Sequence, residues 1–252
     1  MPNEHGKSID KTYLSINNAE QRLFVHRDYL AHCLRWSHVV KFMQERQRYK
    51  EASILDIGCG KEAPLLKTLY TSRMLPASYT GVDYGSIEIF QEIPALQKYE
   101  DRILLFQHTN FLNTVHTGIN FDIIVMFEVL EHVEKSDGKR LLEHVKSFMS
   151  PETVLFMSTP CYDGANKAAN HVYEWGYEEL YGCLMLNNYK VIDVWGTFAS
   201  LKDYVNTKEF TDFGLAKIFT YLRAYYDVNL LSVIFAPLFP QYSRNCLWQL
   251  TL

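Results

Sequence analysis

The stretch that decides the fold reads Ser53-Ile-Leu-Asp-Ile-Gly-Cys-Gly60. Its first five residues are mostly apolar and predict a short buried strand. The two glycines that follow allow a sharp turn and a close approach by a ligand, because neither has a Cβ. Leu65, Leu66 and Leu69 then recur at helical spacing and predict a helix over residues 63–72. A strand, a glycine turn and a helix in this order indicate the start of a ligand-binding α/β sheet.

Strands and helices alternate on both sides of this stretch. Helices are predicted over residues 19–49, 86–98, 136–149 and 175–187, the second of them irregular near Pro94. Further strands are predicted at Tyr79–Asp83, Ile103–Gln107, Phe121–Phe127, Thr153–Ser158 and Lys190–Trp195. Strands separated by helices imply right-handed βαβ units and a parallel sheet covered on both faces. Ligands of such sheets bind outside the carboxyl ends of the strands, so residues that directly follow a strand are the candidates for function.

The alternation stops at residues 197–243, a stretch rich in aromatic residues, and a final strand is predicted over residues 245–252. Two interpretations of the stretch remain open: additional core or the contact face of a homodimer, and a lid or pocket wall over the substrate. The predicted organisation is a tail and helical cover over residues 1–50, then a catalytic domain over residues 51–252 that contains the 197–243 insertion.

Composition excludes several classes of protein. The chain has 252 residues, of which 48% are hydrophobic and 21% charged, as in a globular protein. Its net charge of −4 disfavours a protein that coats nucleic acid. The five cysteines are scattered, which predicts reduced thiols and a cytoplasmic location. The polar N-terminus resembles no signal peptide, and the apolar run at residues 230–239 is too short for a membrane span, so no membrane partner is expected.

The residues around the glycine turn favour one class of cofactor over another. An NAD-linked oxidoreductase would place a pyrophosphate here, but Asp56 in the strand and Glu62 after the turn bring negative charge to the same place. They suit a cationic or amino-bearing ligand better. Asp83 ends the second strand about 20 positions after the glycines, where an acidic residue binds ribose hydroxyls. That role serves NAD and an adenosyl ligand equally.

Five segments, in order, resemble motifs of class I S-adenosylmethionine-dependent methyltransferases, specifically of the type 11/23-like group. They are Ile54–Gly60, Thr80–Asp83, Asn110-Phe111, Phe121–His132 and Ser150–Pro160. The resemblance spans about residues 53–195. It implies a Rossmann-like α/β fold with a mostly parallel, seven-stranded sheet, helices on both faces, an N-terminal helical cover and the aromatic insertion before the last strand.

The same resemblance implies S-adenosyl-L-methionine as the cofactor and assigns roles to residues. Asp56, Gly58 and Gly60 would hold its methionine end, and Asp83 its ribose. Asn110 would bind the adenine amine, with Phe111 close to the ring. The full set of expected cofactor-binding residues is Asp56, Gly58, Cys59, Gly60, Asp83, Tyr84, Asn110, Phe111 and Phe127.

Methyl transfer from a sulfonium is an in-line displacement on an activated carbon, so alignment can supply most of the rate. A hydroxyl nucleophile still needs a base or a metal ion. The residues expected to act on the acceptor are Glu128, His132 and His171, because they follow the fourth and fifth strands.

Glu128, Glu131, His132 and His171 together offer two carboxylates and two imidazoles, ligands that suit a divalent cation such as Mg²⁺ or Mn²⁺. This set, followed by Tyr173-Glu-Trp175, is similar to the metal site of Hen1-type RNA 3′-end 2′-O-methyltransferases. Two alternatives stay open. Glu131 and His132 could form a helix-cap network, or Glu128, His132 or His171 could contact the cofactor or act as a base without metal.

The sequence thus predicts methyl transfer to an oxygen or nitrogen of a small metabolite, sugar or nucleotide acceptor. A metal-dependent RNA 2′-O-methyltransferase is the first alternative, although the acidic balance disfavours a nucleic-acid partner. A non-catalytic adenosyl-binding or scaffold protein is the second.

Overall fold

The computed structural model describes residues 27–46, 50–116, 118–161, 164, 167–199, 204–212 and 214–252. The strands are β1 Ser53–Ile57, β2 Ser78–Val82, β3 Ile103–Phe106, β4 Phe121–Phe127, β5 Met149–Pro160, β6 Lys190–Phe198 and β7 Asn245–Thr251. The helices are α1 Arg27–Arg46, α2 Pro64–Thr71, α3 Ile89–Glu92, α4 Lys135–Lys146, α5 Tyr177–Leu186, α6 Lys208–Asp212, α7 Leu215–Leu222 and α8 Val228–Phe235. Short 3₁₀ turns lie at Pro94–Tyr99, Phe111–Asn113, Leu130–His132, Ala236–Leu238 and Pro240–Tyr242.

The strands form one seven-stranded sheet in the order β3-β2-β1-β4-β5-β7-β6. Neighbours among β1 to β5 are parallel, and β7 is antiparallel to both β5 and β6. The predicted fold class is therefore confirmed. Strand order reverses between β1 and β4, so the crevice at their carboxyl ends is the place where this topology binds ligands.

Helices cover both faces because successive strand residues point to opposite sides. In β1, Leu55 and Ile57 join the core cluster that includes residues of α4 and α5, whereas Ile54 joins the cluster on the other face. The second cluster also takes in one stripe of α1, made of Trp36, Val39, Val40 and Met43. The spacing of these four residues is that of one helix face, so α1 is held against the sheet by apolar packing.

Element boundaries differ from the prediction where proline or strand pairing overrides helical spacing. The helix predicted over 86–98, with an irregularity near Pro94, is divided there: α3 ends at Glu92, and Pro94 starts a 3₁₀ turn. Proline disfavours helical backbone at the preceding residue, and Ile93 has φ −130° and ψ 80°. The predicted first helix is described as α1 alone. Residues 1–26 and 47–49, part of the predicted tail and cover, lie outside the described residues.

The aromatic insertion builds a small core of its own. Tyr204 and Phe239 stack with ring centroids 4.9 Å apart, and Phe210, Phe219 and Phe235 are buried with them. The insertion contacts β6 and α1 through α8. It approaches β6 so closely that a Cβ on Gly196 would lie 2.3 Å from a backbone oxygen of Ala236 and 2.0 Å from Ser243 Oγ. Its roles as a lid or a dimer face stay predictions.

Among the described helices, none combines the length and the hydropathy that crossing a bilayer requires.

Candidate active site at the carboxyl edge of the sheet

The glycine turn ties the end of β1 to the end of β2. The backbone N–H groups of Gly58 and Cys59 both donate to the carbonyl oxygen of Val82, at 2.7 and 3.1 Å. Gly58 and Gly60 have φ values of 66° and 80°, which glycine adopts without steric cost. A Cβ on Gly81 of β2 would lie 3.1 Å from Cys59 Sγ, so this glycine makes room for the turn. Gly81 was not predicted as a site residue.

Asp83 is fixed by the backbone on both of its carboxylate oxygens. Oδ2 accepts a hydrogen bond from the Gly60 N–H and Oδ1 one from the Gly85 N–H, each at 2.7 Å. Each carboxylate oxygen can accept two hydrogen bonds, so one acceptor position per oxygen is left for a ligand. Two adjacent acceptors suit the vicinal hydroxyls of a ribose. Tyr84, which follows, is 67% exposed beside this position.

Asp56 and Glu62 are both buried next to the glycine turn, at 3% exposure each. Asp56 Oδ2 accepts a hydrogen bond of 2.6 Å from the Tyr79 hydroxyl. Burial and the nearby Asp56 carboxylate raise the pKa of Tyr79 well above its ordinary value, so Tyr79 remains a donor. The contact of Asp56 with the methionine end of a cofactor stays a prediction.

Three other predicted cofactor residues take structural positions. Asn110 Oδ1 accepts a hydrogen bond of 3.0 Å from Leu112 N and so starts a 3₁₀ turn. Phe111 is 7% exposed, and Phe127 is 3% exposed inside the core. The Phe111 ring packs against the rings of His144 and Phe148, with centroids 5.1 Å away in both cases. These two phenylalanines offer little surface to a ligand, and their cofactor contacts stay predictions.

Glu128 lies directly after β4 in a buried polar network, which we call the Arg35 network: Arg35, Glu128, Ser158 and Asn245. Glu128 Oε1 is 2.5 Å from Arg35 Nη1 and accepts from Ser158 Oγ at 2.8 Å and Asn245 Nδ2 at 3.0 Å. The side chain of Arg35 is 2% exposed and that of Glu128 is 16% exposed. The network joins α1, β4, β5 and β7 at one point. Its backbone is constrained as well, since Glu128 has a φ of 54°.

The network keeps Glu128 ionised. Burial alone would raise the pKa of its carboxyl, but the Arg35 charge and the hydrogen bonds from Asn245 and Ser158 outweigh burial and lower that pKa. A carboxylate with a lowered pKa is a weak proton acceptor. Glu128 therefore fits a fixed anion and hydrogen-bond acceptor better than a general base.

Glu131, His132 and His171 come together after β4 and β5. One ligand atom from each lies within 4.8 Å of those of the other two. Glu131 is 1% exposed, its Oε2 accepts from Thr159 Oγ1 at 3.2 Å, and its Oε1 is 3.9 Å from His132 Nε2. Glu128, the fourth residue of the predicted metal set, is not in this group, because its carboxylate lies against Arg35.

Both imidazoles of this cluster are oriented through Nδ1. His171 Nδ1 is 2.5 Å from Glu174 Oε1, and His132 Nδ1 is 3.3 Å from the carbonyl oxygen of Asn170. A carbonyl oxygen only accepts, so the proton of His132 sits on Nδ1. With Nδ1 as the donor, Nε2 is in each ring the atom that can bind a metal ion or a proton. Glu174 belongs to the Tyr173-Glu-Trp175 segment but was not predicted as a partner of His171.

The model of a methyltransferase domain family matches residues 26–204. The chain belongs to this methyltransferase domain family. We found no curated protein whose sequence matches it.

Solved structures agree on the fold. The small RNA methyltransferase HEN1 aligns with a TM-score of 0.57 and 17% identity over 85% of this chain and 25% of its own. The 1,6-didemethyltoxoflavin-N1-methyltransferase of Burkholderia thailandensis, solved with S-adenosylhomocysteine, aligns with a TM-score of 0.54 and 14% identity over 84% of this chain and 75% of its own. The [4+2]-cyclase SpnF aligns with a TM-score of 0.55 and 15% identity over 85% and 79%. One fold thus carries different reactions, and the reaction has to be argued from the site.

Proposed function

We propose that this methyltransferase-domain chain transfers a methyl group from S-adenosyl-L-methionine to an oxygen or nitrogen of a small metabolite, sugar or nucleotide. The observation that carries the proposal is the Asp83 carboxylate, fixed by the N–H groups of Gly60 and Gly85 with acceptor positions to spare. A ribose diol fits there. The positive φ angles of Gly58 and Gly60 would let the rest of the cofactor lie against bare backbone.

The cofactor supplies an activated methyl group, and the chain has to align the acceptor with it. Glu128 is placed for this task, because it follows β4, the strand that pairs with β1 at the switch point. Its Oε1 is taken by Arg35, Ser158 and Asn245, whereas Oε2 has Asn245 as its partner among the described residues. We infer that Oε2 accepts a hydrogen bond from the O–H or N–H of the acceptor.

A proton that leaves the acceptor needs a base other than Glu128. His132 and His171 are the candidates, since each has its Nδ1 held by an oxygen, which makes Nε2 the atom that can accept a proton. An imidazole accepts a proton readily near neutral pH. The two rings lie at the same edge of the sheet as Glu128, after β4 and β5.

Binding of S-adenosylhomocysteine tests the proposal. Calorimetry should detect binding to the wild-type chain, and Asp83→Ala should weaken it at least tenfold. Asp212→Ala serves as the matched control, because Asp212 is an exposed carboxylate in the insertion. Its affinity should equal that of the wild type. Binding of NAD in place of S-adenosylhomocysteine, or of neither compound, would overturn the proposal.

A second candidate is a metal-dependent 2′-O-methyltransferase of RNA, which the cluster of Glu131, His132 and His171 favours. A divalent cation held by these residues would lower the pKa of a ribose hydroxyl. Glu174, hydrogen-bonded to His171, would orient that ligand. Turnover should then stop in EDTA, return with Mg²⁺ or Mn²⁺, and fall in His132→Ala but not in His116→Ala, a half-buried histidine that packs against Phe148 and is not part of the cluster. Full turnover in EDTA would exclude this candidate.

A further inference from the structure

A groove at the opposite edge of the sheet is lined by cations. It encloses about 570 Å³, and its lining residues are Lys50, Tyr70, Thr71, Arg73, Leu75, Lys98, Tyr99 and Arg102. Four of these eight are lysine or arginine, and none is acidic. We call this feature the basic groove. The concentration of positive charge is notable in a chain whose net charge is −4.

The basic groove is separate from the candidate active site. Lys50, Leu75 and Arg102 precede β1, β2 and β3, so the groove follows the amino ends of these strands. Asp83 and Glu128 follow the carboxyl ends. At about 3.3 Å per residue, the five residues of β1 put about 17 Å between the two edges.

The positions of the groove's cations are fixed by side-chain and backbone contacts. Lys98 Nζ lies 4.7 Å and Arg102 Cζ 4.6 Å from the centroid of the Tyr99 ring. The ring therefore holds two cations in place through cation–π contacts. Arg73 comes from the turn after α2, with a φ of 58° and its N–H bonded to the carbonyl oxygen of Tyr70 at 3.0 Å. Separate segments of the chain thus present their charges to one volume.

Arg73, Lys98 and Arg102 are not paired with a carboxylate within the described part of the chain. None of the ion pairs there involves Arg73, Lys98 or Arg102. Cations that face one volume without a counter-charge create a positive potential, and an anion that enters it gains electrostatic energy. Guanidinium groups match the geometry of phosphate oxygens, and lysine adds a point charge.

We propose that the basic groove binds phosphate groups, either those of a free nucleotide or polyphosphate or those of a nucleic-acid strand. Its volume lies in the range of about 300–1,000 Å³ that small-ligand pockets occupy. Since the Tyr99 ring already carries two cations, the groove recognises phosphates and not stacked bases. The proposal does not depend on the methyl-transfer function, because no residue of the candidate active site takes part.

The test compares two double variants with the same change in charge. Arg73→Gln/Lys98→Gln removes two cations from the groove, and Arg223→Gln/Lys208→Gln removes two exposed cations from the insertion. The probes are inorganic tripolyphosphate, followed by calorimetry, and a fluorescein-labelled single-stranded RNA 12-mer, followed by anisotropy. All four altered side chains are exposed, so both variants should unfold at the wild-type temperature.

We expect the groove variant to bind at least one probe at least tenfold more weakly than the wild type, and the insertion variant to bind within twofold of it. Loss for tripolyphosphate alone identifies a free phosphate compound as the ligand. Loss for RNA, with a salt slope smaller by about 1.4 for two lost phosphate contacts, identifies a strand. Equal losses in both variants, or no binding of either probe to the wild type, would overturn the proposal. Binding of S-adenosylhomocysteine should be the same in both variants as in the wild type. A failure of the phosphate-binding proposal can therefore be told apart from a failure of the proposed methyl-transfer function.

Discussion

The replacement Arg35→Met should destabilise the chain strongly. Methionine retains a long side chain and a helix-forming backbone preference, but it leaves the buried Glu128 carboxylate without its cation. Removal of one partner from a buried ion pair costs about 3–5 kcal/mol, because the remaining charge is uncompensated. Since Ser158 and Asn245 still donate to Glu128, we expect about 3 kcal/mol, the lower end of this range.

This loss should depend on pH with a defined sign. In the wild type the pKa of Glu128 is lowered, so its contribution to stability is present above about pH 4.3 and disappears as the pH falls through the lowered value. In Arg35→Met the dominant influence left is burial, which raises the pKa of Glu128. The carboxyl then takes up a proton on mild acidification, and the deficit of the variant shrinks as the pH falls from 7.5 to 5.

Urea unfolding followed by circular dichroism at pH 7.5, 6 and 5 measures both effects. The double variant Arg35→Met/Glu128→Gln should recover much of the lost stability, because no charge remains buried. Lys41→Met is the matched control on the same helix: Lys41 is 71% exposed and pairs with Glu45, so its loss should cost under about 0.5 kcal/mol. A deficit below about 1 kcal/mol for Arg35→Met, or one that is the same at all three pH values, would refute this account of the network.

Two further predictions concern the glycine turn and the thiols. Gly81→Ala should weaken the binding of S-adenosylhomocysteine measured by calorimetry, because the new Cβ would lie 3.0 Å from Leu105 Cδ2 and 3.1 Å from Cys59 Sγ. Gly182→Ala is the control: its new Cβ would meet no atom within 4 Å, so this variant should bind as the wild type does. Unchanged affinity in Gly81→Ala would contradict this prediction, because it would show that the glycine turn accommodates the added Cβ. Burial raises the pKa of the Cys246 thiol well above its ordinary value, so this thiol should react slowly with iodoacetamide at pH 8. Mass spectrometry should find the partly exposed Cys33 alkylated well before Cys246. Early labelling of Cys246 would contradict its burial.

Much of the fold follows from local sequence because its signals are local. Apolar runs such as Phe121–Phe127 mark buried strands, and the alternation with helices fixes a parallel sheet. The break at Pro94 was predictable too, because proline interrupts a helix even where the apolar spacing continues. The length of β5, Met149–Pro160, was underestimated, because pairing with β7 carries the strand on to Pro160 and pairing of Met149 with Phe121 of β4 carries it back to Met149.

Part of the candidate site was likewise predictable from local sequence, and part was not. The shared position of Asp83, His132 and His171 was predictable because the carboxyl ends of parallel strands meet at one edge, whereas their roles stay predictions. The Arg35 network was not, because Arg35 and Asn245 are 210 positions apart and come close only when α1 and β7 pack against β5. A polar residue on an otherwise amphipathic helix carries no local sign of its buried partner. The role of Glu128 as a fixed anion therefore emerged from the structure alone.

A crystal structure with S-adenosylhomocysteine tests the central claim most directly. We expect the ribose hydroxyls within hydrogen-bond distance of Asp83 Oδ1 and Oδ2, with the homocysteine chain across the backbone of Gly58 and Gly60. A nucleoside bound elsewhere, or a crevice between β1 and β4 filled by the chain's own side chains, would contradict it.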